Sequence, residues 1–243
     1  MKIRNLLLSA LFLSLVFPVV AQKNNVPDNT LSKTEIKEGW VLLFDGKSLN
    51  GWKAVKTGRQ VESGTGWSVS GGVLALDPES TKGDIVTARK YRNFILSVDY
   101  RCFEASNSGI KYYITENSKG EISSVGCEYQ LIDNDANPDA LLADGKRRTA
   151  ALYDILACTE PTEINKNGFN TALLIVDNGN VQHWLNGKKV LEYVKGGQAW
   201  LDGIAQSKFK GNASFAATDE GYILLQDHHS KMEFKNIKIL ETK

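Results

Sequence analysis

Glu128 and Gln130 lie two residues apart in the run Cys127-Glu128-Tyr129-Gln130-Leu131, where Cys127, Tyr129 and Leu131 take the alternate, apolar positions. Successive side chains of a strand point to opposite faces, so the carboxylate and the amide project together, away from the apolar set. The same argument puts Lys111, Tyr113 and Thr115 on one face of segment 109–115, with Ile110, Tyr112 and Ile114 on the other. Near the C-terminus Tyr222, Leu224, Gln226 and His228 share a face whose polar end is Gln226 and His228. If these three strands are neighbours in one sheet, donors and acceptors gather beside an aromatic ring on a concave surface, which suits a sugar. Two of the groups could move protons: Glu128, once apolar partners raise its pKa, and His228, which needs no tuning near neutral pH. Tyr153 and Asp154 follow a long polar stretch and are expected at the rim of the site, or else in a turn where Asp154 caps a backbone N–H. The plainer reading of all these positions is the solvated face of an antiparallel sheet.

The elements that must hold these groups read as strands. Phe94, Leu96, Val98, Tyr100 and Cys102 alternate with Ile95, Ser97, Asp99 and Arg101, the period of a sheet with one buried face. Asn178-Gly179 and Asn186-Gly187 separate three short runs of Val, Leu and Ile, and Asn-Gly favours the tight turn in which both central residues have positive φ, so 171–193 is a three-stranded meander. Further strands are expected at 41–44, 67–69, 73–76, 109–115, 127–133, 221–227 and 232–240, with a bulge where Phe234 and Ile237 break the alternation. Only 198–208 looks helical, and 134–150 is a long polar connection. Trp40, Trp52 and Trp67 read as core or sandwich-end residues. Many short strands with almost no helix predict an all-β fold, a sandwich of two antiparallel sheets, as a single domain.

Lys2 and Arg4 precede an apolar run from Leu6 to Val20, and Val19-Val20-Ala21 ends it with a small residue, so residues 1–21 read as a signal peptide. Export to the periplasm, the cell surface or the medium follows, with no membrane span in the mature chain. Removing Lys2 and Arg4 from 29 basic residues leaves 27 against 28 acidic ones, which excludes the basic footprint of a nucleic-acid or anionic-membrane binder. Residues 22–38 are polar and aperiodic and read as a flexible lead-in to a domain spanning 39–243. Cys102, Cys127 and Cys158 allow at most one bridge, and buried free thiols are expected. No Cys or His spacing calls for a cofactor or a metal, although Gln226, Asp227, His228 and Glu128 are groups able to ligate a divalent ion.

Taken in order, Trp40 to Trp52, Asn107-Ser108-Gly109-Ile110, Glu128-Tyr129-Gln130-Leu131-Ile132-Asp133, Ala151-Leu152-Tyr153-Asp154, Ser207-Lys208-Phe209-Lys210 and Leu225-Gln226-Asp227-His228 leading into Phe234-Lys235-Asn236-Ile237 resemble the 3-keto-disaccharide hydrolase family over about residues 39–240. The resemblance implies a concanavalin A-like jelly roll with a concave groove, and a substrate sugar with a ketone at C3. That ketone acidifies the C2 proton, so a base can remove it, the C1 substituent leaves by β-elimination, and water then adds, for net hydrolysis. Glu128 and His228 are the candidate catalytic groups, either of them the base, with Asn107, Lys111, Tyr113, Gln130, Tyr153, Asp154 and Gln226 as candidate substrate-binding residues. Two other functions fit the same fold: a non-catalytic carbohydrate-binding module, and a retaining glycosidase using Glu128 and Asp133, whose Glu-x-Gln-x-x-Asp strand has an amide and a shorter acid where two-carboxylate enzymes have carboxylates.

Overall fold

The computed structural model of the chain describes residues 26–64, 66–79 and 83–243, so the expected signal peptide lies outside the described residues. In chain order the elements are α1 (Lys33–Glu38), β1 (Val41–Leu42), β2 (Trp52–Ala54), β3 (Trp67–Ser70), β4 (Val73–Leu76), β5 (Ile85–Thr87), β6 (Phe94–Cys102), β7 (Asn107–Ile114), β8 (Cys127–Ile132), β9 (Asn170–Asp177), β10 (Asn180–Leu185), β11 (Lys188–Val194), α2 (Gln198–Ala205), β12 (Tyr222–Leu225) and β13 (Met232–Glu241). They form two antiparallel sheets. The larger runs β11-β10-β9-β6-β13-β4-β3 with β1 added on β13, and the smaller runs β2-β5-β12-β7-β8. The jelly-roll sandwich expected from the sequence is the observed architecture.

Between the sheets lies one continuous core. Phe94, Leu96, Val98 and Tyr100 enter it from β6, Ile110 and Tyr112 from β7, and Cys127, Tyr129 and Leu131 from β8, each by the period-two rule. Trp52 and Trp67 are fully buried there, their indole N–H groups donating to Leu43 O (2.6 Å) and Gly83 O (3.0 Å). All three cysteines are free, Cys102 and Cys127 buried. Asn178, Gly179, Asn186 and Gly187 all have positive φ, giving the two tight hairpins that the Asn-Gly pairs specify. The bulge in β13 is present: the register against β6 shifts between Lys235 and Lys238, and Asn236 has φ 51°.

Two expectations change. Residues 26–38, expected to be a loose lead-in, are built into the sandwich. Asn29 is buried and exchanges hydrogen bonds with Asn236 at the β13 bulge (2.6 and 2.8 Å), while Ser32 and Glu35 form a capping box on α1. Short polar side chains hold this segment, so no hydrophobic period announces it. Strands β2 and β5 are three residues each, too short to display a period, yet they complete the smaller sheet.

Candidate active site

The outer face of the smaller sheet, turned away from the core, carries the polar groups. Lys111 stands opposite Glu128 in the β7–β8 register and opposite Leu224 in the β7–β12 register, so the three share one row on that face. In the next row Gly109 is opposite Gln130, and Gln226 donates its backbone N–H to Gly109 O (3.0 Å). The three strands are therefore neighbours, in the order β12-β7-β8. Although these residues face outward, Glu128 is only 6% exposed, Lys111 8% and Gln130 0%, which means that surrounding loops wall the face in.

Glu128 is the centre of this arrangement. Its Oε2 pairs with Lys111 Nζ at 3.6 Å. With the Gln226 amide turned so that its oxygen accepts from Lys111 Nζ (3.0 Å), its nitrogen donates to Glu128 Oε1 at 3.2 Å; Gln130, similarly turned, donates to the same oxygen at 3.2 Å and to Ser108 O at 3.0 Å. In the opposite sense the Gln130 amide nitrogen faces Asn107 Oδ1 at 3.3 Å; the turned sense gives Glu128 Oε1 and Ser108 O their donor and requires the Asn107 amide to turn its nitrogen toward Gln130. The carboxylate lies directly over Gly109, where a Cβ would stand 2.1 Å from Oε1, so only glycine leaves room for it. Burial raises the pKa of Glu128, Lys111, Lys208 and His228 pull it down, and Asp84 adds to the rise, the net shift being upward. Asp84, two residues before Val86 on the same face, accepts from Ser124 Oγ (2.6 Å) and Asp227 N (2.8 Å), and Ser124 O in turn accepts from Lys111 Nζ (3.3 Å).

Beyond the edge of β8 the segment 150–153 adds a further rung: Tyr153 N–H donates to Glu128 O (3.0 Å), and Ala150 N–H to Gln130 O (2.8 Å). This brings Tyr153 alongside Glu128 at the edge of the polar face. Its hydroxyl donates to Asp139 (3.2 Å), and Lys208 Nζ lies 4.3 Å from the centre of its ring. Asp154 does the capping of the plainer reading, but for a neighbour distant in sequence. Its Oδ2 accepts Lys208 N–H (2.8 Å) and its Oδ1 accepts Arg147 Nε (2.7 Å), while Arg147 Nη1 reaches Asp139 (2.7 Å). The polar connection 134–150 thus contributes the Arg147 clamp that fixes the rim.

Tyr113 is not at the site. It adopts φ 57°, and the β7–β12 register fits three residues of β7 against two of β12, a bulge that turns Tyr113 toward the core and Ile114 outward against Val86 and Leu224. Gly221 makes the bulge possible, since a Cβ there would stand 2.6 Å from Tyr113 Cα. Tyr113 instead lines a separate cavity with Lys195, Trp200 and Asp219. His228 follows the end of β12 as an exposed imidazole within electrostatic reach of Glu128. Asn107 is buried on β7 beside Gln130. Asp133 is remote: its oxygens accept Ala105 N and Asp135 N (3.1 Å each), and it lies five residue steps along the extended chain from Glu128, about 16 Å, far beyond the 5–5.5 Å of a retaining pair. Among the described residues no group of three or more His, Cys, Asp and Glu side chains could hold a metal ion, and no helix is long and apolar enough to cross a membrane.

Asp84, Ser124, Arg147 and Lys208 complete the site without having been singled out as site residues from the sequence. Lys208 lay within a quoted motif, so a signal existed; Asp84 and Ser124 sit in short or irregular segments that give none.

Residues 39–240 match the family model described as a 3-keto-alpha-glucoside-1,2-lyase-like domain. A 3-keto-disaccharide hydrolase of Bacteroides thetaiotaomicron is 32% identical, the match covering 83% of this chain and 78% of the relative. Two solved structures from Parabacteroides distasonis, each named a putative glycosyl hydrolase, share the architecture. One is 31% identical with a TM-score of 0.79 over 89% of this chain and all of its own; the other, at 23% identity, has a TM-score of 0.61 over 84% and 99%.

Proposed function

The chain belongs to the 3-keto-alpha-glucoside-1,2-lyase-like family, and from that premise we propose that it is an exported carbohydrate-active hydrolase that cleaves 3-keto-glycosides by removing the C2 proton. Glu128 is the base in this reading. Its carboxylate takes the proton, the C–H electron pair forms the C2=C3 double bond of an enolate, and return of charge from the C3 oxygen expels the C1 substituent. The leaving oxygen departs with a proton, for which the exposed imidazole of His228 is the donor. Water then adds its oxygen to C1 and a proton to C2, giving the free 3-keto-sugar and the released alcohol.

The observation that carries this reading is the setting of Glu128: buried, raised in pKa, held by two amides and a lysine, and given space by Gly109. A base of that kind is poised for carbon acid chemistry near neutral pH. Asp133, about 16 Å away along the extended chain, argues against the two-carboxylate glycosidase. The test is to offer an aryl 3-keto-glucoside and the corresponding ordinary glucoside in heavy water. Release of the aryl group from the keto compound alone, with deuterium at C2 of the product, is expected. Binding of either compound without release would leave a carbohydrate-binding module, and cleavage of the unoxidised glucoside would restore direct glycosidic hydrolysis. For export, the mass of the mature protein recovered from outside the cytoplasm is expected to place its first residue at Gln22.

A further inference from the structure

Lys111 and Lys208 both act on Glu128, and Arg147 lies within reach of Lys208; two of these three cations already have partners. Lys111 contacts Glu128, Ser124 O and Gln226, while Arg147 is clamped between Asp139 and Asp154. Lys208 is different: among the described residues it forms no ion pair, and its ammonium rests on the rings of Tyr153 (4.3 Å) and Phe209 (5.3 Å). Its place is nonetheless fixed. Asp154 holds the Lys208 backbone N–H, Arg147 holds Asp154, and Tyr153, on which the ammonium sits, is tied by its hydroxyl to Asp139 and by its backbone to Glu128. The ammonium acts on both Glu128 and Lys111 electrostatically, and Lys208 is an exposed residue, so a ligand over Glu128 can reach it.

Resting on the reading above, we propose that Lys208 is a catalytic residue whose ammonium binds the C3 oxygen of the substrate and holds the negative charge that develops there. The charge balance requires such a group. Before reaction the negative charge is on Glu128, beside Lys111; as the C2 proton moves to Glu128, the electron pair enters C2=C3 and the carbonyl pair moves onto the C3 oxygen. The sugar brings no counter-charge of its own. A cation held in advance at that oxygen stabilises the enolate more than the ketone, which is the condition for accelerating the step. In its absence Lys111, fixed on the Glu128 side, would have to leave its partners.

Lys208→Met keeps the apolar stem and removes the charge. On the aryl 3-keto-glucoside its kcat should fall roughly 10²–10³-fold, the loss seen when one oxyanion donor is removed, with KM changed far less and with a larger isotope effect on a substrate deuterated at C2. Lys208→Arg should recover part of the rate, and added methylammonium should partly rescue Lys208→Ala. Rates within threefold of the parent in Lys208→Met would overturn the assignment while the parent's own turnover of the keto compound keeps the mechanism standing. Borohydride trapping of a covalent adduct on Lys208 would overturn it too, in favour of an imine. Parent protein that leaves the keto compound intact would sink the reading on which the assignment rests.

Discussion

Glu128 and His183 are both buried titratable groups, both pushed toward their neutral forms, and they do opposite things. His183, on β10, sits in the core between the sheets, 0% exposed, and burial lowers its pKa to about 4. Its Nδ1 meets Ala150 O at 2.7 Å, and a carbonyl only accepts, so that nitrogen carries the proton. Nε2 is then the acceptor for the Tyr112 hydroxyl (2.8 Å), whose oxygen accepts from Tyr193 (2.6 Å). Every donor has one acceptor in a one-way chain, and a second proton on the ring would force the Tyr112 hydroxyl to stop donating to Nε2 and accept from it, reversing the chain. Glu128 has lysines on more than one side, an acid nearby and a small part of its surface still exposed, so both of its protonation states find support. A shifted pKa therefore does not mark the reactive group; what separates the two is whether the surroundings accommodate both states and leave a path for substrate.

Removing the proton acceptor from the first region gives the largest expected effect. Glu128→Gln keeps the shape and should lower kcat on a 3-keto-glycoside by roughly 10²–10⁴, the contribution of a general base, with circular dichroism and melting temperature close to the parent. A variant that unfolds, or one that retains full turnover, would erase the contrast with His183.

The second region should reveal itself through pH. The unfolded chain takes up a proton on His183 near pH 6.5 and the folded chain only near 4, so between those values the unfolded state binds more protons and stability falls as the solution is acidified. From pH 7.5 to 5 the loss should be about 2 kcal/mol, read from urea midpoints. Glu128, raised by burial, works the other way over the lower part of the window, so the acid loss should be steeper in Glu128→Gln than in the parent. Carboxylates held low by partners, such as Glu116 at about 2, act only below this window.

Gly109→Ala tests whether access, and not merely charge, defines the site. Its φ is an ordinary one, and the atoms nearest the new Cβ all belong to the Glu128 side chain, Oε1 at 2.1 Å. The carboxylate must move, and misplacement by about an ångström costs roughly 10²-fold in rate. Binding of the sugar should weaken much less. Equal loss of kcat and of affinity would mean that Gly109 supports the fold of the groove and not the aim of the acid.

Much of this could be read in the sequence, and what escaped did so for physical reasons. Period-two alternation gave the faces of β6 and β8, and with it the pairing of Glu128 with Gln130, because long strands repeat the signal often enough to be unambiguous. On β7 the same rule fails after Tyr112: one residue at positive φ reverses the faces, and alternation carries no sign of a backbone torsion. Asp84 enters through a three-residue strand, and Lys208 through a loop held by Asp154, a contact across 54 residues. His183 was invisible as a special residue, since its role depends on Tyr112 and Tyr193 from two other strands.

The direction of that chain makes a finer prediction. Tyr193 stands at its start and only donates, so Tyr193→Phe takes one bond from the Tyr112 oxygen and leaves no donor unpaired, because Tyr112 still donates to His183. Loss of a single neutral hydrogen bond is about 0.5–1.5 kcal/mol. Tyr112→Phe deprives both neighbours: the Tyr193 hydroxyl loses its acceptor, and His183 Nε2 is left buried without a donor, a cost of about 1–3 kcal/mol for each orphaned group. The two variants delete the same atom from the same cluster, so a simple count of lost contacts would separate them by one bond. Chemical denaturation should instead show Tyr112→Phe clearly the weaker protein, and its acid sensitivity should persist, since without the Tyr112 oxygen a protonated Nε2 has no acceptor. If Tyr193→Phe proves as damaging, the chain runs the other way, with Tyr112 donating to Tyr193 and His183 holding its proton on Nε2. In that case Ala150 O would face a bare nitrogen, and the neutral lock that distinguishes this histidine from Glu128 would not exist.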